Sequence, residues 1–345
     1  MIDPATVQVI APNLKKRYSG VTSTVLRLVP LQAQEIAIAS VGPTLPDDLP
    51  QIRLRDLLTM PRRTRVWHAR RNNEMLVGLV LKHVLRQPLK LMFTSASQRH
   101  HSRYTKWLIR QMDQIVATSA RTASYLEREC EIVTHGIDTG QFFPSDDKTA
   151  LRAQLGLPET ATLLGCYGRV RPSKGNDLFI DAMIALLPRF PGVDAVMMGG
   201  VTDKFADFGA AQARKVAQAG LTDRIHLLPE VPPWDVAPWF QALDLYIAPQ
   251  RNEGFGLTPL EAMSCGVPSI ATRTGAFEEI VAEDETGKLI PTNDGAALTR
   301  AIEEVLQAPE ILDRWKKNCR PRAENGFRIA DEAAALTAIY RRLLA

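Results

Sequence analysis

Short apolar runs and segments with helical periodicity alternate through the C-terminal part of the chain. The apolar runs, each of strand length, lie at 163–168, 193–198, 225–228, 245–249, 267–271 and 287–290. Segments with apolar residues at helical spacing lie at 178–187, 210–219, 235–243 and 295–307. Because short runs that are apolar throughout are typical of parallel strands buried on both faces, this alternation predicts a doubly wound α/β domain.

The N-terminal part repeats the pattern less clearly. Strands are predicted at 7–10, 36–41, 65–68, 89–94 and 114–119, which would make a five-stranded core. The stretch 42–64 is charged and rich in proline, so we expect a loop there. We therefore predict an N-terminal Rossmann-like domain at 1–145 and a C-terminal Rossmann-like domain at 146–325. The last helix, within 326–345, is a candidate to pack back on the N-terminal domain.

Composition is that of a globular protein with two domains. The 345 residues are 45% hydrophobic and 23% charged, which allows each domain a core of its own. The four cysteines show no metal-ligand spacing, and the N-terminus shows no secretory signal. No apolar run is long enough to cross a membrane. We therefore expect a cytoplasmic protein.

Charge is unevenly distributed along the chain. Residues 1–145 contain 20 Lys and Arg against 11 Asp and Glu, a balance of +9, whereas residues 146–345 have a balance of −5, for a total of +4. A basic front half indicates an anionic partner, such as a phosphorylated acceptor, an anionic membrane or a nucleic acid. The alternative is a solvated basic surface without a partner.

The segment 252–261 reads Asn-Glu-Gly-Phe-Gly-Leu-Thr-Pro-Leu-Glu and follows one of the apolar runs. Thr258 followed by Pro259 predicts a helix with Thr258 as its N-cap and Pro259 as its first residue. A strand, a glycine-containing loop and a helix start therefore follow one another here. Backbone N–H groups at a helix start favour an anion, while Glu253 and Glu261 can accept hydrogen bonds from hydroxyls. A nucleotide sugar combines phosphate and polyol in this way. The structural alternative is a capping box between Thr258 and Glu261, with the glycines serving only the turn.

Further segments have counterparts in one enzyme family. They are Gly-Arg-x4-Lys-Gly at 168–175, Thr-His-Gly-Ile-Asp at 134–138, and the helix stop and turn at 264–268 and 274–276. With the Glu-x7-Glu motif of Glu253 and Glu261, their order and spacing resemble the retaining glycosyltransferases of family 4. The resemblance implies the GT-B fold, in which two Rossmann-like doubly wound domains face each other across a cleft. The N-terminal domain then binds the acceptor, and the C-terminal domain binds the nucleotide-sugar donor.

The resemblance also implies roles for individual residues. Catalysis is assigned to Glu253, Arg169 and Lys174. Donor binding is assigned to Gly20, Gly168, Glu230, Val231, Gly254, Phe255, Gly256, Leu257, Thr258 and Glu261. In the family pattern Glu261 binds the ribose hydroxyls and Glu253 positions the sugar. Arg169 and Lys174 follow a strand and would neutralise the diphosphate, Arg169 through its planar guanidinium and Lys174 as a mobile point charge. The alternative is that they belong to a solvated basic loop.

No metal and no other cofactor is expected, the nucleotide sugar being a substrate. The sequence contains no Asp-x-Asp motif, and the cations Arg169 and Lys174 can do the work of a divalent ion. His100 and His101 are adjacent, so their side chains do not share a helical face and no chelation is predicted.

The front half departs from the family pattern. The loop at 15–21 contains one glycine, Gly20, where relatives often have two, and the fourth predicted strand ends without the histidine that many relatives carry. Three residues near the end of the third strand are predicted to contact the acceptor, namely His68, Arg70 and Arg71. An ordinary strand-end histidine is the alternative for His68.

Basic residues cluster in two places in the front half. One cluster consists of the arginines within 62–65 and at 70–71. The other consists of Arg103, Lys106 and Arg110, which share one face of a predicted helix, with Trp107 beside them. An anionic lipid acceptor at a membrane surface explains both clusters. The segment 67–74 and the short N-terminal domain are most similar to the lipopolysaccharide-core mannosyltransferases, which act on an acidic inner-core sugar.

The sequence thus predicts a retaining, metal-independent hexosyltransferase that moves mannose from GDP-mannose to an anionic lipid-linked glycan such as the lipopolysaccharide inner core. We expect it to be cytoplasmic and peripheral at the inner membrane, with no nucleic-acid partner. Alternatives are a UDP-hexose-dependent transferase of capsule or exopolysaccharide synthesis, a GT-B epimerase or phosphorylase, and a non-catalytic nucleotide-sugar-binding subunit. A dinucleotide oxidoreductase is disfavoured because no Gly-x-Gly-x-x-Gly follows any strand.

Overall fold

The structure, a computed structural model, describes residues 2–16, 20–43 and 45–345. The chain forms two compact units: unit 1 is Met1–Gly136 with Ile329–Ala345, and unit 2 is Ile137–Arg328. Within these described ranges, each unit contains one six-stranded sheet. All strand pairs in both sheets are parallel, and helices connect successive strands, as the alternation of the sequence predicts.

Unit 1 has the strand order β2-β1-β3-β4-β5-β6. Its strands are β1 (Val9–Pro12), β2 (Ile38–Val41), β3 (Arg65–Ala69), β4 (Leu89–Ser95), β5 (Gln114–Ala117) and β6 (Glu131–Ile132). Its helices are α1 (Gly20–Gln32), α2 (Asp56–Thr59), α3 (Asn72–Leu79), α4 (Arg103–Arg110), α5 (Ala120–Ala123) and, from the chain end, α14 (Ile329–Leu344). Two of these elements were not predicted: β6, which is too short to form an apolar run, and α2, whose single turn lies in the predicted loop.

Helix α14 belongs to the core of unit 1. Its buried residues Leu336, Ile339 and Tyr340 join a hydrophobic cluster that includes Val25 and Leu28 of α1. Side chains three or four positions apart face the same way on a helix, so one stripe of α14 supplies these contacts.

Unit 2 has the strand order β12-β11-β10-β7-β8-β9. Its strands are β7 (Thr162–Tyr167), β8 (Val193–Met198), β9 (Ile225–Leu228), β10 (Leu245–Ala248), β11 (Ser269–Thr272) and β12 (Gly287–Ile290). Its helices are α6 (Lys148–Leu155), α7 (Asn176–Leu186), α8 (Ala206–Gln218), α9 (Ala237–Gln241), α10 (Thr258–Ser264), α11 (Phe277–Ile280), α12 (Gly295–Gln307) and α13 (Pro309–Gly326). Counted from β7, this is the 3-2-1-4-5-6 order of a Rossmann sheet read from its other edge, with the order reversing between β7 and β10.

The boundary between the units differs from the predicted one. Unit 1 ends at Gly136 rather than at 145, because the following residues pack into unit 2. The ring of Phe142 lies edge-on to Phe240 at 6.2 Å between centroids, and its carbonyl accepts a hydrogen bond from Arg320 Nη1 at 2.6 Å. The return to unit 1 falls after Arg328, three residues beyond the predicted end at 325.

Helix α13 was not predicted. Its buried residues Leu312, Trp315, Cys319 and Ala323 have helical spacing, but Pro321 interrupts the pattern and signals a helix end. The helix continues through this proline. No helix in the described ranges has both the length and the apolar character needed to cross a membrane.

Candidate functional site

The strand order of unit 2 places two loops at its switch point. The loop after β7 contains residues 168–175, and the loop after β10 contains residues 249–257. In open α/β sheets, ligands bind beyond the carboxyl ends of the strands at the point where the order reverses, because the flanking loops diverge there. Both segments that the sequence assigned to the donor therefore lie at the same edge of one sheet.

Arg251 ties these two loops together. Its guanidinium donates two hydrogen bonds to the carboxylate of Asp177, at 2.7 and 2.8 Å, and its backbone N–H donates to the carbonyl of Ser173 at 3.0 Å. The hydrogen bonds with Asp177 raise the pKa of Arg251. A bidentate pair of this kind fixes geometry as well as charge, so the loop after β10 is held against the start of α7.

The loops also meet at their backbones. Gly175 has a φ of +70°, and a Cβ added there would lie 2.0 Å from the carbonyl oxygen of Pro249. Both the left-handed conformation and the close approach require glycine at this position. Gly175, the last residue of the Gly-Arg-x4-Lys-Gly segment, thus allows the two loops to come into contact.

The structure brings two of the three predicted catalytic residues into direct contact. Lys174 Nζ forms an ion pair with Glu253 Oε2, and the other carboxylate oxygen of Glu253 accepts the Gly254 N–H at 3.0 Å. The two side chains are 18% and 19% exposed. They are therefore partly desolvated, and each depends on the other for charge compensation.

Arg169, the third predicted catalytic residue, is not part of this ion pair. It follows Gly168 at the end of β7 and its side chain is exposed. Within the described ranges no acidic side chain lies at ion-pair distance from it. An exposed, uncompensated guanidinium at a switch point is free to bind an incoming anion.

A pocket of about 180 Å³ opens beside Arg169. It is lined by Tyr167, Gly168, Arg169, Met198, Gly199, Glu230, Val231, Pro233, Val236, Phe240, Thr258 and Glu261. Half of these residues were predicted for donor binding or catalysis. The others come mainly from the end of β8 and from the segment through α9. For the lining residues at the end of β8, the sequence signal was the Gly199-Gly200 pair. The structure explains the first of these glycines, because a Cβ on Gly199 would lie 1.9 Å from the Gly168 carbonyl oxygen.

The glycine-rich loop 253–257 lies outside the lining of this pocket. Phe255 is buried, and its carbonyl accepts the Ala276 N–H at 2.8 Å. Gly256 has a φ of +87°, and a Cβ there would be 2.3 Å from the Phe277 ring. The N–H groups of Gly256 and Leu257 meet no acceptor in the described part of the chain, so the loop offers backbone donors to a ligand.

Helix α10 begins differently from the prediction. Thr258 is its first residue and Leu257 occupies the N-cap position, with no side-chain capping bond. Thr258 is therefore not the N-cap residue that the capping-box alternative assumed. The Glu261 side chain is only 9% exposed and lines the pocket. Burial, together with the neighbouring charge of Glu261, raises the pKa of the Cys265 thiol to about 12, so this thiol stays protonated.

In unit 1 the structure places His68 in the core. Its Nδ1 lies 2.6 Å from the Tyr340 hydroxyl and its Nε2 lies 2.6 Å from Thr94 Oγ1. Burial, and then the charge of Arg70, lower the pKa of His68 well below its usual value, so the ring is neutral at pH 7. The side chain has no exposed surface. Direct contact with an acceptor would require it to become accessible.

The two arginines after β3 have different environments. Arg71 donates to Asn13 Oδ1 at 2.9 Å and to Glu74 Oε1 at 2.6 Å. Arg70 is 9% exposed, and its Nη2 has no hydrogen-bond partner in the part of unit 1 that the structure describes. Asn13 follows β1, so these residues lie at the carboxyl edge of the sheet.

The loop after β1 is described in part. Gly20 is the first residue of α1 and a Cβ there would meet nothing within 4 Å. The residues Arg17, Tyr18 and Ser19, which belong to the predicted phosphate-facing loop, lie outside the described residues.

Comparison with known proteins identifies the family. The family profile "Glycosyl transferases group 1" matches residues 147–322, which include all the candidate site residues of unit 2 described above. The chain belongs to this family. It is therefore a glycosyltransferase.

Two relatives align with this glycosyltransferase from end to end. The lipopolysaccharide core biosynthesis mannosyltransferase LpcC of Rhizobium leguminosarum bv. viciae is 47% identical over 350 residues, covering 100% of this chain and 99% of that protein. The lipopolysaccharide core biosynthesis mannosyltransferase LpsB of Rhizobium meliloti (strain 1021) is 46% identical over 354 residues, covering both proteins completely. Both alignments include unit 1 as well as unit 2.

A solved structure shares the fold. The crystal structure of Anabaena Alr3699/HepE in complex with UDP superposes with a TM-score of 0.85, over 97% of this chain and 100% of that chain, at 18% identity. At this identity the likeness speaks for the fold alone. Together with the two six-stranded parallel sheets, it confirms the predicted GT-B fold.

Across the ranges that the structure describes, no three His, Cys, Asp or Glu side chains are placed together in a way that could hold a metal ion.

Proposed function

We propose that this glycosyltransferase transfers mannose, with retention of configuration, from GDP-mannose to an anionic lipid-linked glycan such as the lipopolysaccharide inner core. The observation that carries the proposal is the end-to-end similarity to LpcC and LpsB. Their names state a mannosyltransferase of lipopolysaccharide core biosynthesis. The arrangement of charges in unit 2 supports the donor chemistry.

The donor would lie along the carboxyl edge of the unit 2 sheet. Its nucleoside would occupy the pocket, where Thr258 and Glu261 offer acceptors for the ribose hydroxyls. Its diphosphate would then extend past Arg169 toward Lys174. The transferred sugar would lie near Glu253 and the unpartnered N–H groups of the glycine-rich loop.

Breaking the bond between sugar C1 and the β-phosphate oxygen leaves negative charge on the departing diphosphate. Arg169 and Lys174 would stabilise this charge, and preorganised cations of this kind are most effective in a site shielded from water. To meet the phosphate, Lys174 would exchange its ion pair with Glu253 for one with the donor. Glu253 would then be released to accept hydrogen bonds from the sugar hydroxyls.

The acceptor hydroxyl would form its bond to C1 on the face that the diphosphate leaves. Its proton would pass to the departing β-phosphate oxygen, so no protein base is needed and the configuration at C1 is kept. The charge balance of residues 1–145 favours an acidic acceptor. Arg70 and Arg71, at the carboxyl edge of the unit 1 sheet, are the proposed contacts, and the buried His68 precedes them on β3.

The proposal is tested by transfer assays with purified protein. GDP-mannose, UDP-glucose and related donors are offered with a Kdo-bearing lipid acceptor and, separately, with a neutral soluble sugar. Mannose transfer from GDP-mannose to the acidic acceptor, with an α-linked product by NMR, is expected. Transfer from UDP-hexose instead would favour the capsule or exopolysaccharide alternative. Nucleotide-sugar binding without transfer to any acceptor would favour a non-catalytic subunit.

A further inference from the structure

One carboxylate in the unit 2 pocket is not needed for ribose or phosphate. Glu230 follows β9 and its side chain is exposed. Throughout the described ranges, no cation or hydrogen-bond donor pairs with it. It lines the pocket together with Glu261, so two carboxylates face one small ligand site.

The two carboxylates reach that site from different parts of the sheet. Glu230 follows β9, whereas Glu261 belongs to the helix that follows β10. In the sheet β7 and β8 lie between these two strands, so the ends of β9 and β10 are three strand spacings, roughly 14 Å, apart. Different parts of a nucleoside would therefore meet Glu230 and Glu261.

The position of the Glu230 carboxylate depends on a glycine. A Cβ added to Gly200 would lie 2.3 Å from Glu230 Oε2, so the carboxylate lies directly over the backbone at the end of β8. Any larger residue at 200 would displace it. Gly200 thus leaves room for Glu230 to place a charged hydrogen-bond acceptor at one wall of the pocket.

The surroundings of Glu230 suit a flat ring. Met198, Val231, Pro233, Val236 and Phe240 contribute apolar surface to the same pocket. Phe240 is itself held in place by Tyr167, whose ring lies edge-on at 5.0 Å between centroids. A planar base between apolar walls, with one polar group at its edge, is a usual arrangement in ligand pockets.

An ionised carboxylate can only accept hydrogen bonds. Guanine presents two neighbouring donors on one edge, the N1–H and the N2 amino group, and these match the two oxygens of a carboxylate. Uracil presents one N3–H between two carbonyl oxygens, which the carboxylate would repel. Adenine presents an acceptor beside its amino group. Among these bases, guanine alone satisfies both oxygens.

We propose that Glu230 is the residue that selects guanine in the donor nucleotide, by accepting the N1–H and N2–H of the base. This inference rests on the proposed function, since it takes the pocket to be the donor site. It goes further by naming the base-reading group and the reason that UDP- and ADP-sugars are rejected.

The test is titration calorimetry of the full-length protein with GDP, UDP and ADP. Wild-type protein is expected to bind GDP most tightly. Glu230→Gln should weaken GDP binding by about 10- to 100-fold, the loss expected for charge-assisted hydrogen bonds. The same variant should bind UDP as well as or better than wild type, because an amide can pair with N3–H and a neighbouring carbonyl of uracil. Retained UDP binding also shows that the variant is folded.

Two further variants sharpen the result. Gly200→Ala keeps Glu230 but displaces its carboxylate, so it should weaken GDP binding more than UDP binding. Asp235→Asn removes an exposed carboxylate from the neighbouring loop, outside the pocket lining, and should leave all three affinities unchanged.

The possible outcomes separate the two proposals. An unchanged ratio of GDP to UDP affinity in Glu230→Gln overturns the role of Glu230 and leaves the pocket as a nucleotide site. A wild-type preference for UDP overturns both this role and GDP-mannose as the proposed donor. If wild-type protein binds none of the nucleotides, the donor-site assignment falls and the role of Glu230 falls with it.

Discussion

Lys174 Nζ is paired with Glu253 Oε2 across the two loops that leave the unit 2 sheet from β7 and β10. These residues are 79 positions apart in sequence, and the sequence placed each in a separate motif. The contact means that the cation proposed for the diphosphate and the carboxylate proposed for the sugar compensate each other before a donor binds. A donor would give Lys174 a phosphate in place of its carboxylate partner, and Glu253 would exchange its cation for hydrogen bonds from the sugar hydroxyls.

Replacement of either proposed phosphate cation should slow transfer. We expect Arg169→Ala and Lys174→Ala each to reduce kcat by about 100-fold or more, the loss typical of one preorganised electrostatic group. The measurement is steady-state transfer from GDP-mannose, with circular dichroism to show that each variant is folded. Arg214→Ala is the matched control, because Arg214 is an exposed cation of α8 outside the proposed site. Near-normal rates in both folded variants would place the donor diphosphate elsewhere.

Transfer should not require a divalent metal. Arg169 and Lys174 would supply the positive charge that a metal ion supplies to the leaving diphosphate in other transferases. The measurement is the rate after dialysis against EDTA, compared with the rate after the same dialysis followed by added magnesium or manganese. We expect the two rates to agree. Activity that disappears with EDTA and returns with either ion would contradict this expectation.

Asp244 should stabilise unit 2 in a pH-dependent way. Its carboxylate pairs with Arg152 at 2.6 Å, Lys148 at 3.2 Å and Lys316 at 3.4 Å, and accepts the Leu163 N–H at 2.9 Å. Burial alone would raise the pKa of Asp244, but the surrounding cations outweigh it and lower the pKa to about 2. Because the pKa in the folded state lies below the unfolded value, the stabilisation is present above about pH 4. It is lost as the pH falls toward 2.

The corresponding variant is Asp244→Asn. The pKa shift from 3.8 to about 2 corresponds to about 2 kcal/mol of stability at pH 7. We expect urea denaturation to show a lower midpoint for the variant at pH 7 and a smaller difference from wild type near pH 3. Asp181→Asn is the control, since Asp181 pairs with Lys215 at the surface, where it is 55% exposed. A difference that stays constant with pH, or an equal effect of the control, would show that the charge of Asp244 is not responsible.

The strands of unit 2 were predictable because buried parallel strands are short, continuous apolar runs. The predicted bounds of β8, β9 and β12 agree with the structure. Elements that break the rule were missed. β6 has two residues, and α13 continues through Pro321 although a proline ordinarily ends a helical pattern.

The candidate site was predictable only where its residues follow one another in sequence. Gly168, Arg169 and Lys174 belong to one loop, and their motif identified them. The lining residues Val236 and Phe240 come from the segment of α9 and show no local signal, because only the folded sheet brings them to the pocket. The Lys174–Glu253 contact was invisible for the same reason, since it depends on the reversal of strand order between β7 and β10.

A membrane surface remains the proposed meeting place with the acceptor, and α4 of unit 1 is the proposed contact. Tyr104 and Trp107 are 49% and 48% exposed on this helix, and their rings stack at 6.4 Å between centroids. Exposed aromatic rings beside basic residues are typical of helices that lie in a lipid interface. Glu127 opposes this charge, because it pairs with Lys106 and approaches Arg110 to 3.7 Å. The face is therefore less positive than the sequence predicted.

From these contacts we predict whether each of three variants binds anionic vesicles more weakly than, more strongly than or as well as the wild type. Trp107→Ala should weaken co-sedimentation with anionic vesicles, whereas Trp234→Ala, at a 68% exposed tryptophan of unit 2, should not. Glu127→Gln should strengthen it, because Lys106 and Arg110 lose their opposing charge and each basic residue near an anionic surface contributes about 1 kcal/mol. Binding of the wild type and of Glu127→Gln should fall as salt rises. If wild-type binding does not depend on salt or on the anionic lipid, and Glu127→Gln has no effect, the basic surface of α4 is a solvated face and the acceptor must be recruited in another way.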